Sequence, residues 1–149
     1  MVIRDCMKRE VISVEADATL QKAVRLLVEH HIGTLPVVDT AGKLVGLLQM
    51  RDLHELVMPD FVHLVENFDF VHNFGAVSAR KPAPDMLNQP ARKIMQKPVS
   101  VDENCSLIRA TAMLHSHRIL DLPVVDREGR LVGIASRVDI GTAIMQDWC

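Results

Sequence analysis

Apolar and polar positions along this chain switch between a two-residue and a helical period, and the whole switch happens twice. Near the start, Ile12-Ser-Val14 is a short β-branched run that predicts a strand. Leu20, Ala23, Val24 and Leu27 follow at i, i+3, i+4 and i+7, one face of a helix. Asp17 and Thr19 precede them as N-cap candidates. His30-His31 closes the segment, where cationic groups complement the negative helix end. Leu35-Pro-Val-Val-Asp39 reads as a buried strand, with proline near the strand start, where its missing N–H is tolerated. Thr40-Ala-Gly-Lys43 is a turn in which Gly42 is free to take positive φ. Leu44-Val-Gly-Leu-Leu48 returns as the partner strand, and a further helix begins near Arg51-Asp52. The order is β-α-β-β-α.

Shifting the chain by 87 positions aligns Ile12–Leu53 with Val99–Ile140 without a gap, and 17 of those 42 positions are identical. The densest match is LPVVDTAGKLVG (Leu35–Gly46) against LPVVDREGRLVG (Leu122–Gly133). Upstream, Arg4 pairs with Arg92 and Met7 with Met95 after a one-residue slip. A match of this length means duplication. The second copy repeats every element. Val99–Val101 is its first strand, Asn104 and Ser106 its caps, and Leu107, Ala110 and Leu114 its helical face. His117-Arg118 closes that helix, Gly129 marks the turn, and a last helix starts near Val138-Asp139.

Composition narrows the classes. With 48% hydrophobic and 24% charged residues this is a globular protein, and neither half would bury much apolar surface alone. The halves are therefore expected to share a core. A net charge of −2 gives no basic footprint for nucleic acid. No apolar stretch approaches the roughly 18 residues needed to span a bilayer, and the N-terminus carries no signal-type apolar core. A cytoplasmic protein is expected, with no membrane or nucleic-acid partner. Cys6, Cys105 and Cys149 have no metal-type spacing and are read as reduced thiols.

The pattern h-P-V-V-D-x-x-G-x-L-V-G-h-h, with a polar residue and then an Asp three positions later, resembles the cystathionine-β-synthase (CBS) domain, and it appears twice. The resemblance covers residues 2–57 and 90–146, with 58–89 as an insert between the copies. It implies a mixed α/β fold of the α+β kind: two βαββα units packed as an intertwined pair about a pseudo-two-fold axis. It further implies association into homodimers and an adenosyl ligand held in clefts between the sheets.

In the family, a segment of the form G-h-x-[ST]-x-x-D holds an adenosine ribose, the Asp accepting from the sugar hydroxyls. The second copy carries Gly133-Ile-Ala-Ser-Arg-Val-Asp139, a full match that nominates Ser136 and Asp139. Taken by itself, Ser136-x-x-Asp139 is also a capping-box pattern that would start a helix, and the two roles are compatible. The first copy has Gln49 in the hydroxyl position of Gly46-Leu-Leu-Gln-Met-Arg-Asp52, which makes a weaker cleft of Ile3, Leu47, Gln49, Arg51 and Asp52. By the same resemblance, Ala91, Met95, Val99 and Ser100 would line the adenine slot beside Ser136. Leu120, Leu122, Pro123 and Ile134 would complete it. Each of these is equally explained as core. Arg137 and Arg118 are candidate phosphate partners, with Arg51 for the other cleft. Asp121 would be an unfavourable neighbour for a polyanion, which points to adenosine, S-adenosylmethionine or a monophosphate rather than ATP.

All four phenylalanines fall within Phe61–Phe74, where Phe61, Leu64, Val65, Phe68 and Val71 lie near helical spacing. This predicts a helix that packs on the module or meets a partner. Pro82, Pro84 and Pro90 predict an extended connection behind it. His54, His63 and His72 recur every nine residues, about half a helical turn out of phase. They share no face, so no metal site is expected. No nucleophile–base pair, metal motif or glycine-rich phosphate loop stands out, so neither an enzyme nor a protein with a resident cofactor is expected. Two functions remain: a stand-alone ligand-sensing module acting on an unidentified partner protein, or a structural dimerisation module without a ligand.

Overall fold

The structure, a computed structural model, describes residues 1–57 and 81–149. The Phe61–Phe74 stretch, with His63 and His72, lies outside those residues. The expected order appears in both halves. The first runs β1 (Val14–Glu15), α1 (Leu20–His30), β2 (Thr34–Val38), β3 (Leu44–Gln49) and α2 (Met50–His54). After α3 (Pro84–Leu87) the second runs β4 (Val101–Asp102), α4 (Leu107–His117), β5 (Asp121–Val125), β6 (Leu131–Ser136) and α5 (Arg137–Met145). Two three-stranded sheets result, β1-β2-β3 and β4-β5-β6. In each the first pairing is parallel and the second antiparallel.

Local chemistry explains each boundary. Thr19 Oγ1 accepts from the Lys22 N–H at 3.2 Å and Ser106 Oγ from Arg109 N–H at 3.3 Å, so Thr19 and Ser106 are the N-caps, not Asp17 and Asn104. Both helices end on a residue in the left-handed region, His31 and Arg118 at φ 53°. The hairpin turns are drawn tight by an aspartate: Asp39 Oδ1 accepts from Ala41 and Lys43, and Asp126 Oδ1 from Glu128 and Arg130. The Arg130 amide, with that of Glu128, holds the Asp126 carboxyl below the usual carboxylate range. Gly42 and Gly129 take φ of 81° and 80°, as the turn requires.

Two expectations are corrected. The first strand of each copy begins at Val14 or Val101, two residues late; Ile12 borders a cavity, and Val99 packs against the core of its own half. The connector is not fully extended either. Pro84 sits at the first position of the helical turn α3, where a missing N–H costs nothing.

The copies exchange their lead-in segments. Residues 3–8 pack on the second half: Ile3 N–H donates to the Cys105 carbonyl at 2.8 Å, and Lys8 and Ile134 exchange a pair of backbone bonds at 2.8 and 3.0 Å. Residues 91–96 do the same to the first half, with Ala91 N–H on Ala18 at 2.7 Å and Gln96 paired with Leu47 at 2.8 and 3.0 Å. Each apolar core therefore contains the other copy's lead-in. Ile3 and Met7 are buried with Leu107, Leu114, Leu122 and Val124, while Ala91 is buried with Leu20, Leu27, Leu35 and Val37. Two further backbone bonds, Leu44 to Gly129 at 3.0 Å and Leu131 to Gly42 at 3.1 Å, join the turns about the pseudo-two-fold axis.

Candidate functional site

The exchange builds a cleft from both copies. A cavity of about 260 Å³ opens between them. The first half contributes Lys8, Glu10, Val11 and Ile12 from the lead-in, then His31 through Thr34 from the end of α1 and the start of β2. The second half contributes Asp121 from β5, Ile134 and Ser136 from β6, and Asp139 from α5. A larger groove of about 560 Å³ lies outside α1 and α2 and carries none of these residues.

Ser136 and Asp139 are set by the start of α5. Ser136 Oγ accepts from the Asp139 N–H at 3.0 Å, and Asp139 Oδ2 accepts from the Ser136 N–H at 2.8 Å. This is a complete capping box. It orients the carboxylate without using both oxygens, so the same residue can cap a helix and accept from a ligand. Lys8 Nζ stands 3.8 Å from Asp139 Oδ2, with the lysine mostly exposed. Across the cavity, Thr34 Oγ1 donates to Asp121 Oδ2 at 2.7 Å. The two are equivalent positions of the repeat, 87 apart, so this bond crosses the pseudo-two-fold axis. Nearby, burial first and then the carboxylates of Asp139 and Asp5 push the Cys6 thiol above its ordinary range. That is the wrong direction for a nucleophilic thiolate.

The residues expected around Ser136 divide. Ile134 borders the cavity, and Val99 is half-buried against the same half's core. Ala91 and Met95 do not join them. The exchanged lead-in carries both to the first half, where Met95 covers Gly46 and Ala91 is fully buried. Ile3 moves the opposite way, into the second core and away from Gln49 and Asp52. Leu122 and Pro123 are fully buried within β5, and Ser100 is half-buried ahead of β4. Leu120 is largely exposed, and its carbonyl accepts the Arg137 N–H at 2.8 Å. The Arg137 side chain is exposed and does not border the cavity. In the first half, Asp52 Oδ2 accepts from the Gln49 N–H at 2.9 Å, Gln49 and Asp52 are both buried, and Leu47 is nearly inaccessible. Arg51 reaches across to donate to the Arg118 carbonyl at 3.2 Å.

Sequence reasoning missed Lys8, Glu10, Val11, Ile12 and the run His31, Ile32, Gly33 and Thr34 as cavity residues. One signal was present. Gly46 and Gly133 sit inside strands, not turns, and a strand glycine marks close approach of another chain segment. A Cβ on Gly133 would lie 2.5 Å from Met7 Sδ, and one on Gly46 would collide with Met95. Each glycine thus reports which lead-in lies over it.

A family model for the CBS domain matches residues 3–59 and again 91–146, most of the chain. The chain belongs to the CBS domain family. Among its CBS relatives, a CBS domain-containing protein of Dictyostelium discoideum is 27% identical, over 94% of this chain and 88% of that one. The chloroplastic CBS domain-containing protein CBSX1 of Arabidopsis thaliana is 30% identical, over 93% of this chain and 61% of its own. Among solved CBS pairs, CBSX2 in complex with AMP superposes with a TM-score of 0.73 at 26% identity, covering 99% of this chain and 98% of that one. Among the described residues, no group of three or more His, Cys, Asp or Glu side chains could hold a metal ion. No helix there is long and apolar enough to cross a membrane.

Proposed function

We propose that this CBS pair is a regulatory module that binds an adenosyl compound in the cavity between its halves and passes the signal to a partner protein by a change of conformation. The observation that carries the reading is the cavity itself, bordered by Ser136 and Asp139 and completed by the exchanged lead-in. Asp139 meets a ribose with an acceptor already oriented by the capping box. Ile134, Val11 and Ile12 offer apolar surface for a base. The complex of CBSX2 with AMP supports the adenosyl class. A ligand placed here touches elements of both halves, so its binding favours whichever relative arrangement suits it best; a signal needs that difference in affinity.

Calorimetric titration with adenosine, AMP, ADP, ATP and S-adenosylmethionine tests the reading. At least one compound is expected to bind to the wild type and to lose about tenfold or more in affinity in Asp139→Ala, which removes a charge-assisted acceptor. No heat from any of them would overturn the proposal.

Association of two copies is a second part of the proposal. Ile108 on α4, Val138 on α5 and Trp148 beyond it are 82%, 73% and 75% exposed, apolar surface on the second half that a second copy would cover. A concentration-dependent dimer in sedimentation, weakened by Val138→Asp, is the expected result. A monomer at all concentrations would remove it.

A further inference from the structure

The charges around the cavity bear on which adenosyl compound fits, a question that rests on the adenosyl reading above. Three carboxylates border it, Glu10, Asp121 and Asp139, against one lysine, with His31 the remaining ionisable group. Lys8 is already drawn to Asp139. A 5′-phosphate would have two other sources of stabilisation, the first amides of α5 and the Arg137 guanidinium. Neither Arg137 nor Val138 borders the cavity, and the third first-turn amide, that of Asp139, is already bonded to Ser136 Oγ. The Arg137 N–H is spent on the Leu120 carbonyl.

Among the carboxylates, Asp139 is committed to the cap and to the ribose. Glu10 is exposed, where water and salt screen it. Asp121 is half-buried, and Thr34 Oγ1 fixes it at 2.7 Å. A cavity of about 260 Å³ is about 8 Å across, no wider than the screening length of roughly 8 Å. A 5′ group held within the cavity therefore feels this charge. We propose that the Ser136–Asp139 cavity selects adenosyl compounds with an uncharged or cationic 5′ group over 5′-phosphates, and that Asp121 sets the selection. The repeat sharpens the assignment, because the equivalent position of the first copy is the neutral Thr34.

Three ligands that differ only at the 5′ position test it: 5′-amino-5′-deoxyadenosine, adenosine and AMP. Each is titrated calorimetrically into the full chain, and Asp139→Ala identifies the heat that belongs to this cavity. The wild type is expected to bind the amine most tightly and adenosine about tenfold or more tighter than AMP. Asp121→Asn, which keeps an acceptor for Thr34, is expected to bring AMP to within about threefold of adenosine and to loosen the amine. Asp121→Thr should do the same and serves if the asparagine variant does not fold. AMP binding as tightly as adenosine, or an order of affinities unmoved by both variants, would overturn the selection while leaving the adenosyl site standing. Absence of heat from all three in the wild type would overturn the site itself.

Discussion

At the start of α5 a serine hydroxyl caps the helix, Asp139 answers it, and the pair opens on a cavity that also receives Lys8, Thr34 and Asp121. At the start of α2 the same backbone positions hold Gln49, whose side chain makes no cap bond, and Asp52, which is buried and bonded to the Gln49 amide. The scaffolds beneath are nearly identical. Both sheets have the same register and the same irregularity, between Val37 and Val38 and between Val124 and Val125. Duplication thus preserved the hydrogen-bond frame, on which every element depends. It released the few side chains at the cleft, whose cost of change is local.

The comparison yields three measurable contrasts. The largest effect is expected where the copies are alike. Leu35→Ala and Leu122→Ala each empty a fully buried site, at a cost of about 2–5 kcal/mol. Because each core borrows the other copy's lead-in, both variants are expected to unfold in one transition by urea and two spectroscopic probes. Separate transitions for the halves would break the shared-frame picture.

A middle-sized effect separates the lead-ins. The Cβ of Gly46→Ala meets Met95 down to its own Cβ at 3.0 Å, so the root of that side chain must give as well as its tip. That of Gly133→Ala meets Met7 at Sδ, Cε and Cγ but not at Cβ, so the flexible part of the side chain can rotate away. We expect a loss of about 2–3 kcal/mol for the first and about 1 kcal/mol for the second, by denaturant titration. Equal losses would mean that the two lead-ins are held alike.

The smallest effect lies at the caps. Ser136→Ala is expected to cost about 1 kcal/mol and to speed amide exchange in the first turn of α5. Gln49→Ser, which transplants the second copy's cap, should slow exchange at the start of α2. No change in either would show that the caps do not distinguish the halves.

Much of this was legible in the sequence for a physical reason. Helix faces, turn glycines and N-caps depend on neighbours a few residues away, so Leu20–Leu27, Gly42 and Ser106 announce themselves. The Ser136–Asp139 pair is local too. The cavity is not, since Lys8 reaches it through the exchange and His31 and Thr34 only through the meeting of the halves, and no local pattern says on which half a lead-in will settle. Grouping Ala91 and Met95 with Ser136 followed the order of the chain, whereas the packing follows the axis. Ile12 likewise has strand character, yet it borders the cleft ahead of β1.

The exchanged lead-ins also govern the order of assembly during synthesis. The first sheet lacks its cover until residues 91–96 have been made, and residues 3–8 wait for Cys105 and then Ile134. Contacts of such wide sequence separation slow folding and leave the early half open to wrong partners on the way. Once closed, the arrangement is a mutual clasp. A cut between the copies would leave each fragment holding the segment that the other needs, so the two pieces should travel together as a nicked complex.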